Sequence, residues 1–377
     1  MNKWPAKFVI GLTGNIATGK SVVRKMLEHL GAYGIDADAL AHRAIAPGSP
    51  GFQKVVDVFG KWILDVEGCI DRNKLSRLVF SNPEALAQLE AIVHPLVRQA
   101  IDILVQRASH RVVVIEAIKL LEGELRTVCD SIWVSNASTQ TQIKRLMEKR
   151  KMSEAEAWQR IATQAEQAEK LATAQVIIQN DDSIEDTWLQ VSSAWRVFFP
   201  ESEAKGSRAR LVAEGQMVVQ RAQPRQAGEI AQFITRISQE QRKLSRDEVM
   251  AAFGEKAFLL LMSGDKLVGL LGWQVENLVA RTDNVYIDPQ APQAVAAKLL
   301  LTEVEKASRD LQCEASLLFL PPRLAQRKAG WQALGYELKT IEQLGVRAWY
   351  EAARESMPPD TVMLFKQLRQ DRVLRSF

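Results

Sequence analysis

This sequence has few cysteines, no long apolar run and no strong imbalance of charge. Its three cysteines, Cys69, Cys129 and Cys313, are far apart and form no CxxC pair, which argues against a disulfide framework or a structural zinc site and favours a reducing cytoplasm. No apolar run approaches about 18 residues, so we expect no membrane span, and the N-terminus lacks the features of a signal peptide. With 49 basic and 45 acidic side chains, the net charge of +4 gives no indication of nucleic-acid binding.

The composition is that of an ordinary globular chain long enough for more than one domain. Its 377 residues predict two domains at roughly 150 residues each. In the first part, short apolar runs alternate with helical periodicity, which is typical of an α/β protein with a doubly wound parallel sheet. The predicted strands are 8–12, 32–35, 111–115, 131–134 and 175–178, and the predicted helices are 20–30, 81–107 and 139–172.

The second part of the chain has a different pattern. Residues 201–214 lack apolar periodicity over most of their length and are predicted to be a linker between domains 1–200 and 215–377. Alternating segments on either side of Ser263-Gly264-Asp265-Lys266 predict a hairpin, and antiparallel strands with a few helices indicate an α+β domain. The strands are predicted at 217–221, 257–262, 267–275, 278–287, 314–320 and 361–366, and the helices at 227–237, 291–311 and 324–334.

The strongest local signal is a phosphate-binding loop. Residues 14–21 match G-x-x-x-x-G-K-[ST] without a mismatch, follow an apolar strand and open an amphipathic helix. In such a loop the backbone N–H groups surround phosphate oxygens, the lysine reaches the β- and γ-phosphates, and the hydroxyl holds Mg²⁺. We therefore predict ATP and Mg²⁺ as ligands. The predicted ATP-binding residues are Gly14, Asn15, Ala17, Thr18, Gly19, Lys20, Ser21 and Val22, with Ser21 as the Mg²⁺ ligand.

The remaining motifs favour a small-molecule kinase over a GTPase. The Asn73-Lys74 pair lacks the aspartate that reads guanine. A kinase needs a base beside an acceptor hydroxyl and arginines to cover the transferred phosphoryl group. The segment 34–38 places Asp36 and Asp38 after the second predicted strand, at the edge where open α/β sheets bind ligands. The cationic helix end 144–151 contains Arg145, although a solvated helix face explains such a charge run equally well.

Taken in order, these motifs resemble dephospho-CoA kinase over residues 8–185. The resemblance rests on Thr13 to Ser21, on Ile35-Asp-Ala-Asp38, on His94-Pro95 expected just before a long helix, and on a strand ending at Asn180. Arg145, Arg150 and Gln164 fit the family's helical lid loosely. The resemblance implies a phosphate-loop NTPase fold that transfers the γ-phosphoryl group of ATP to the ribose 3′-hydroxyl of dephospho-CoA.

The same resemblance implies roles for particular residues. Asp38 resembles the family's base, Lys20 and Arg145 would neutralise the transferred group, and His94 would lie near the acceptor. Asp36 is expected to be structural or to stand near Mg²⁺. For His94, a side chain tied to backbone at a helix start is an equally good reading.

One loop departs from the family pattern. Where the family has D-I-P-L-L, this chain has Ala117 in place of the aspartate and Lys119 in place of the proline. Glu116, one position earlier, is a candidate substitute for the acid. The departure puts acceptor binding in question but not the nucleotide site.

The second part resembles the GNAT-type N-acetyltransferase fold. The order of elements fits, and Gly330 to Glu337 looks like the family's late helix-to-strand segment. The turn that should hold the CoA pyrophosphate, residues 287–297, contains no glycine, and Pro292 removes an N–H donor. All four histidines lie in the first part, so a base would have to be Glu, Asp or Tyr, with Tyr336 and Tyr350 more simply core residues.

The sequence therefore predicts a dephospho-CoA kinase followed by a GNAT-like domain with a degenerate acyl-transfer site. Its partners would be ATP and dephospho-CoA, and CoA or acetyl-CoA is a candidate ligand of the second domain. Three alternatives stay open: a kinase for another small hydroxyl acceptor, an ATP-binding regulator without catalysis, and a CoA-sensing protein with N-acetyltransferase activity. The oligomeric state is not determined by the sequence.

Overall fold

The computed structural model describes residues 3–164, 167–200, 217–326, 328–370 and 373, with the backbone alone for residue 328. The predicted linker 201–214 lies outside the described residues. Contacts group the chain into two compact units. Unit 1 comprises Met1–Ile35, Ser109–Gln274 and Asn284–Val304, and unit 2 comprises Asp36–Ala108, Val275–Asp283 and Glu305–Phe377. Each unit draws on both parts of the chain, and the predicted domain boundaries stay a prediction.

The first sheet has five strands in the order β2-β3-β1-β4-β5. Strand β1 pairs in parallel with β3 and β4, and β4 pairs in parallel with β5. Residues Val9 to Thr13 of β1 are all buried, as a central parallel strand covered on both faces requires. The doubly wound sheet is thus confirmed. Its strands are β1 (Phe8–Thr13), β2 (Tyr33–Asp36), β3 (Val112–Glu116), β4 (Ser131–Asn136) and β5 (Val176–Gln179).

Nine helices accompany these strands in the described part of residues 1–200. They are α1 (Lys20–His29), α2 (Ala37–Ala44), α3 (Phe52–Phe59), α4 (Arg72–Ser81), α5 (Pro83–Arg107), α6 (Thr139–Arg150), α7 (Glu154–Ala162), α8 (Gln167–Thr173) and α9 (Ile184–Phe198). The prediction of one helix over 139–172 was wrong, because local signals interrupt it. Lys151 takes a left-handed φ of 55° after α6, and Ser153 with Glu156 forms a capping box that starts α7.

The expected position of His94-Pro95 before a helix was also wrong. Helix α5 begins at Pro83, where the Asn82 side chain accepts hydrogen bonds from the N–H groups of Glu84 and Ala85. His94 lies in the middle of this 25-residue helix and is exposed. Pro95 stands inside the helix rather than at its start. The reading of His94 as a helix-start side chain therefore does not hold.

The second sheet has seven strands in the order β11-β12-β10-β9-β8-β7-β6. The predicted hairpin is present as the antiparallel pair β7 and β8, with an irregularity between Leu261 and Met262. One pair, β9 with β10, is parallel, and the prediction of antiparallel strands missed this pairing. Parallel neighbours need a crossover connection, which is here a helix. The strands are β6 (Met217–Arg221), β7 (Ala257–Ser263), β8 (Lys266–Glu276), β9 (Val279–Ile287), β10 (Ala315–Leu320), β11 (Glu337–Lys339) and β12 (Val362–Gln367).

The helices after residue 217 complete an α+β arrangement. The crossover between β9 and β10 is α12. The predicted helix 324–334 corresponds to two short helices, α13 and α14. The helices are α10 (Ala227–Ile237), α11 (Arg246–Phe253), α12 (Gln293–Asp310), α13 (Pro322–Ala325), α14 (Lys328–Ala333) and α15 (Arg347–Ser356). No helix among the described residues is long and apolar enough to cross a membrane.

Within each unit, residues from the first 200 contact residues beyond 217. In unit 1 the His29 ring at the end of α1 donates to the Phe253 carbonyl over 2.9 Å, and Arg246 pairs with Glu185 at 2.7 Å. In unit 2, Arg43 and Glu314 form a buried ion pair at 2.8 Å. The later part of the chain is therefore packed onto helices that begin at the ligand-binding edge of the first sheet.

Candidate functional site

The connection from β1 to α1 has the backbone shape that a phosphate-binding loop requires. Gly14, Ala17 and Gly19 have φ values of 148°, 59° and 92°, and Gly19 occupies the N-cap of α1 with no capping side chain. A Cβ at Gly14 would lie 2.3 Å from the Ser135 carbonyl oxygen, and one at Gly19 would lie 1.8 Å from the Asn180 amide nitrogen. Both glycines are therefore required by close packing as well as by their dihedral angles. The start of α1 directs its first N–H groups at the loop.

Side chains from other strands hold this loop in shape. The Ser135 hydroxyl donates to the Thr18 carbonyl over 2.6 Å, and the Asn180 amide donates to the same oxygen over 2.9 Å. The Lys20 ammonium donates to the carbonyls of Gly14 and Asn15 over 2.9 and 3.0 Å. Lys20 is buried, so its charge is held at the loop rather than in solvent. The predicted lysine is thus in a position to meet phosphate oxygens.

Glu116 joins the loop to the end of β3. Its carboxylate accepts from the Ser21 hydroxyl over 2.8 Å and from the Arg24 Nε over 2.6 Å. Arg24 in turn pairs with Glu28 at 2.7 Å. Burial alone would raise the pKa of Glu28, but Lys25 and Arg24 lower it to about 2. The candidate substitute acid named from the sequence therefore does touch the loop hydroxyl.

Arg145 reaches the loop from α6. Its guanidinium donates to the Ala17 carbonyl over 3.1 Å and to the Asn180 carbonyl over 2.6 Å. Burial lowers the pKa of Arg145 and Asp181 opposes that shift, and the group stays a cation at neutral pH. Arg150, at the end of the same helix, is exposed. Of the two arginines in the predicted lid, the structure brings Arg145 to the nucleotide loop.

Three side chains that follow α7 hold the outer part of the loop. Gln164 accepts from the Ile16 N–H over 2.7 Å, and Gln167 accepts from the Asn15 N–H over 3.0 Å. The buried Lys170 ammonium donates to the Asn15 side chain over 2.9 Å and to the Ile118 carbonyl over 3.1 Å. Gln167 and Lys170 were missed by the sequence reasoning. They stand about 150 residues from the loop and belong to no motif.

Unit 2 carries Asp36 and the two residues expected at the acceptor, Asp38 and His94. The Asp36 side chain accepts from the Ala39 N–H over 2.8 Å and caps α2, which confirms its expected structural role. Asp38 lies in the first turn of α2, two residues after β2 ends, and is partly buried. His94 is on a different element, α5, and is exposed.

The oxygen atoms at the loop suit Mg²⁺. Magnesium in nucleotide sites is held by one or two protein oxygens together with phosphate oxygens and water. The Ser21 hydroxyl and the Glu116 carboxylate, 2.8 Å apart, form such a pair. No cluster of three or more His, Cys, Asp or Glu suited to a metal is found in the described ranges.

In the second part, Tyr336 is excluded as a base. It is fully buried and its hydroxyl lies 3.0 Å from the Ser316 hydroxyl. Burial raises the pKa of Tyr336 well above its usual range. The expectation that Tyr336 is a core residue is confirmed.

The parallel sheet and the loop together define a phosphate-loop fold, with the Glu116 carboxylate hydrogen-bonded to the loop serine. The family model for dephospho-CoA kinase matches residues 8–186. A dephospho-CoA kinase from Geobacter sulfurreducens is 38% identical over 195 residues, which is 51% of this chain and 99% of the relative. One from Streptomyces avermitilis is 42% identical over 187 residues, 49% of this chain and 91% of the relative. Through its first part, the chain belongs to the dephospho-CoA kinase family.

Solved structures overlap with each part of the chain separately. A dephospho-CoA kinase from Campylobacter jejuni is 27% identical and covers 52% of this chain and 98% of its own, with a TM-score of 0.38. A GNAT-family acetyltransferase from Streptococcus pneumoniae is 16% identical and covers 40% of this chain and 99% of its own, with a TM-score of 0.32. Both scores are below 0.5, and the family assignment rests on sequence.

Proposed function

We propose that this protein phosphorylates the ribose 3′-hydroxyl of dephospho-CoA with ATP, giving CoA and ADP. The observation that carries the proposal is the hydrogen bond between Ser21 and Glu116 beside an intact phosphate loop, in a chain of the dephospho-CoA kinase family. It supports a retained nucleotide site despite the altered sequence after β3. Turnover with dephospho-CoA decides between this proposal and the alternative of an ATP-binding regulator without catalysis.

The loop residues would bind the nucleotide. The N–H groups of residues 17–22 would surround the phosphates, and Lys20 would neutralise the β- and γ-phosphate charge. Ser21 would hold Mg²⁺ directly, and Glu116 would orient that hydroxyl. When bound, Mg²⁺ neutralises charge on the phosphate oxygens.

The acceptor side would supply the proton transfer. Asp38 would orient the 3′-hydroxyl and accept its proton as the new oxygen–phosphorus bond forms and the bond from the γ-phosphorus to the β–γ bridging oxygen breaks. ADP leaves with that bridging oxygen. Arg145, already at the Ala17 carbonyl, would neutralise the transferred group, and His94 would lie near the acceptor.

The choice of acceptor is tested by competition. ADP formation with dephospho-CoA is measured in the presence of excess adenosine, which shares the ribose hydroxyls but lacks the pantetheine chain. The proposal expects adenosine to be neither a good inhibitor nor a good substrate. Phosphorylated adenosine as the main product would favour a kinase for another small hydroxyl acceptor.

For the second part we propose no acyl transfer. Tyr336 is unavailable as a base, and the segment 287–297 lacks glycine. Binding of CoA or acetyl-CoA there stays a prediction. Calorimetric titration of the full chain carrying Lys20→Ala, with the kinase loop weakened, tests it: no heat at millimolar CoA or acetyl-CoA contradicts the prediction. A location in a reducing cytoplasm stays a prediction.

A further inference from the structure

Two buried, oppositely charged side chains connect α2 to the later part of the chain. The Arg43 Nη2 lies 2.8 Å from a Glu314 carboxylate oxygen, and its Nη1 donates to the Asn277 carbonyl over 2.6 Å. Arg43 is 7% exposed and Glu314 is 0% exposed. Arg43 thus makes directional hydrogen bonds to two points beyond residue 217, away from solvent screening.

Backbone hydrogen bonds hold Glu314, which accepts the hydrogen bond from Arg43, in place. Glu314 immediately precedes β10, and its N–H donates to the Leu278 carbonyl over 2.7 Å. Its own carbonyl accepts from the Leu368 and Arg369 N–H groups over 2.9 and 3.2 Å. Both backbone polar groups of Glu314 are therefore fixed between β9 and the end of β12, and the carboxylate projects from a rigid point.

Arg43, the hydrogen-bond donor, belongs to α2, the short helix that also carries the candidate base Asp38. Helix α2 has eight residues, which is too few for stability in isolation, so packing must set its position. Asp38 stands in its first turn and Arg43 in its last, about 7.5 Å apart along the axis. Ala37, Leu40 and Ala44 form its buried apolar face. The hydrogen bonds of Arg43 add directional contacts at the last turn of the helix, and these restrict both rotation about the helix axis and displacement along it.

We propose that Arg43 and Glu314 are positioning residues for phosphoryl transfer, through which the later part of the chain holds Asp38 in place. The inference rests on the proposed role of Asp38. It makes the later part of the chain a component of the kinase and not a separate appended activity. The nucleotide loop has its own supports from β1, Ser135 and Asn180, so loss of the pair should change turnover rather than ATP binding.

The test separates positioning from stability with a double variant. Arg43→Met with Glu314→Leu removes both charges of the buried pair, a replacement that often preserves stability. We expect the melting temperature to stay within a few degrees and the KM for ATP within about twofold, while kcat falls at least ~tenfold, because small misplacements of a reacting group cost that much or more. A folded double variant with kcat within about twofold of the wild type would overturn the inference.

A conservative variant and a matched control complete the experiment. Arg43→Lys keeps the buried charge but cannot make the same two hydrogen bonds, so it should fold and lose kcat even if the double variant does not fold. Unchanged kcat in a folded Arg43→Lys would also contradict the inference. The control is Glu67→Gln, which breaks the 2.6 Å pair with Arg347, another contact between the same two parts of the chain but away from α2. It should leave both kcat and KM unchanged.

Failure of the inference and failure of the proposed function give different results. If the wild type forms no ADP with dephospho-CoA, or Asp38→Asn retains full turnover, the proposed function or its base is wrong, and the inference fails with it. If both behave as proposed and the double variant keeps its kcat, the inference alone fails.

Discussion

At the residue scale, the proposed reaction would depend on a few side chains whose environments differ sharply. Lys20 and Glu116 are buried beside the phosphate loop, whereas Asp38 is only partly buried at the start of a helix. Neighbouring carboxylates have separate tasks, since Asp36 caps α2 through its side chain and Asp38 does not. These differences lead to distinct expectations for single substitutions.

Asp38→Asn is expected to reduce turnover by orders of magnitude, about 10²-fold or more, while ATP binding persists, because an amide cannot accept the hydroxyl proton. Steady-state ADP release and equilibrium ATP titration measure the two quantities. The adjacent Asp36→Asn is the control, since an asparagine oxygen still caps the helix and most activity should remain. Near-normal rates in Asp38→Asn would remove the base assignment.

Glu116→Gln is expected to raise the Mg²⁺ concentration needed for half-maximal turnover by ~10- to 100-fold, because the partner that orients the Ser21 hydroxyl loses its charge. A Mg²⁺ titration of ADP release measures it. Glu28→Gln is the matched control: it removes a partner of Arg24 without touching Ser21. An unchanged Mg²⁺ dependence in Glu116→Gln would show that Glu116 plays no part in the metal site.

At the element scale, the strand-to-helix turn after β1 is the most constrained segment. Gly19 and Gly31, at either end of α1, both have left-handed φ values, 92° and 107°. Only Gly19 has a close neighbour, the Asn180 amide, whereas nothing lies within 4 Å of a Cβ at Gly31. Alanine substitutions at Gly19 and Gly31 therefore separate the effect of backbone strain, which both share, from the effect of a steric clash at the loop, which only Gly19 has.

Gly19→Ala is expected to abolish measurable ATP binding, because the new methyl group must displace Asn180 and distort the loop. Gly31→Ala should cost about 1 kcal/mol of unfolding free energy, the strain of a left-handed alanine, and leave ATP affinity unchanged. Isothermal titration and chemical denaturation of both variants provide the comparison. Equal ATP affinity in the two variants would contradict the geometry assigned to the loop.

The buried His29 at the end of α1 leads us to expect that the folded state loses stability in acid. Burial lowers the pKa of His29 to about 3, so the ring is neutral in the folded chain while the unfolded chain binds a proton below about 6.5. Between pH 6.5 and pH 3 the unfolded state therefore holds more protons, and stability falls as pH falls. The free energy of unfolding, measured by chemical denaturation at several pH values, should decrease as the pH falls through this range. His29→Gln should reduce this pH dependence, and an unchanged pH dependence in that variant would assign the effect to other groups.

The elements were predicted well where the chain's own periodicity decides them. Strand β6 and helix α10 have the predicted bounds, and every predicted strand is present within one or two residues. The predictions failed where local capping competes with periodicity, as at Lys151 and Ser153, where α6 ends and α7 begins. They also failed for Gln167 and Lys170, since side-chain contacts across about 150 residues depend on tertiary packing. Glu116 could be named in advance because it stands one position before the place of the family's aspartate.

At the scale of the whole molecule, each compact unit contains residues from both parts of the chain. Unit 1 combines the phosphate loop with β6, β7 and β8, and unit 2 combines α2 to α5 with β10, β11 and β12. An enzyme followed by an independent accessory domain would not require a buried pair such as Arg43 with Glu314. This arrangement is the reason to regard the later part of the chain as a support for the kinase chemistry.

The most direct test of the central claim is ADP release by the purified full chain with Mg-ATP, measured with and without dephospho-CoA. The account predicts ADP formation that depends on the acceptor, with one CoA formed per ADP and confirmed by mass. ATP binding without acceptor-dependent turnover would contradict it, because the altered loop after Glu116 would then have changed the substrate or ended catalysis.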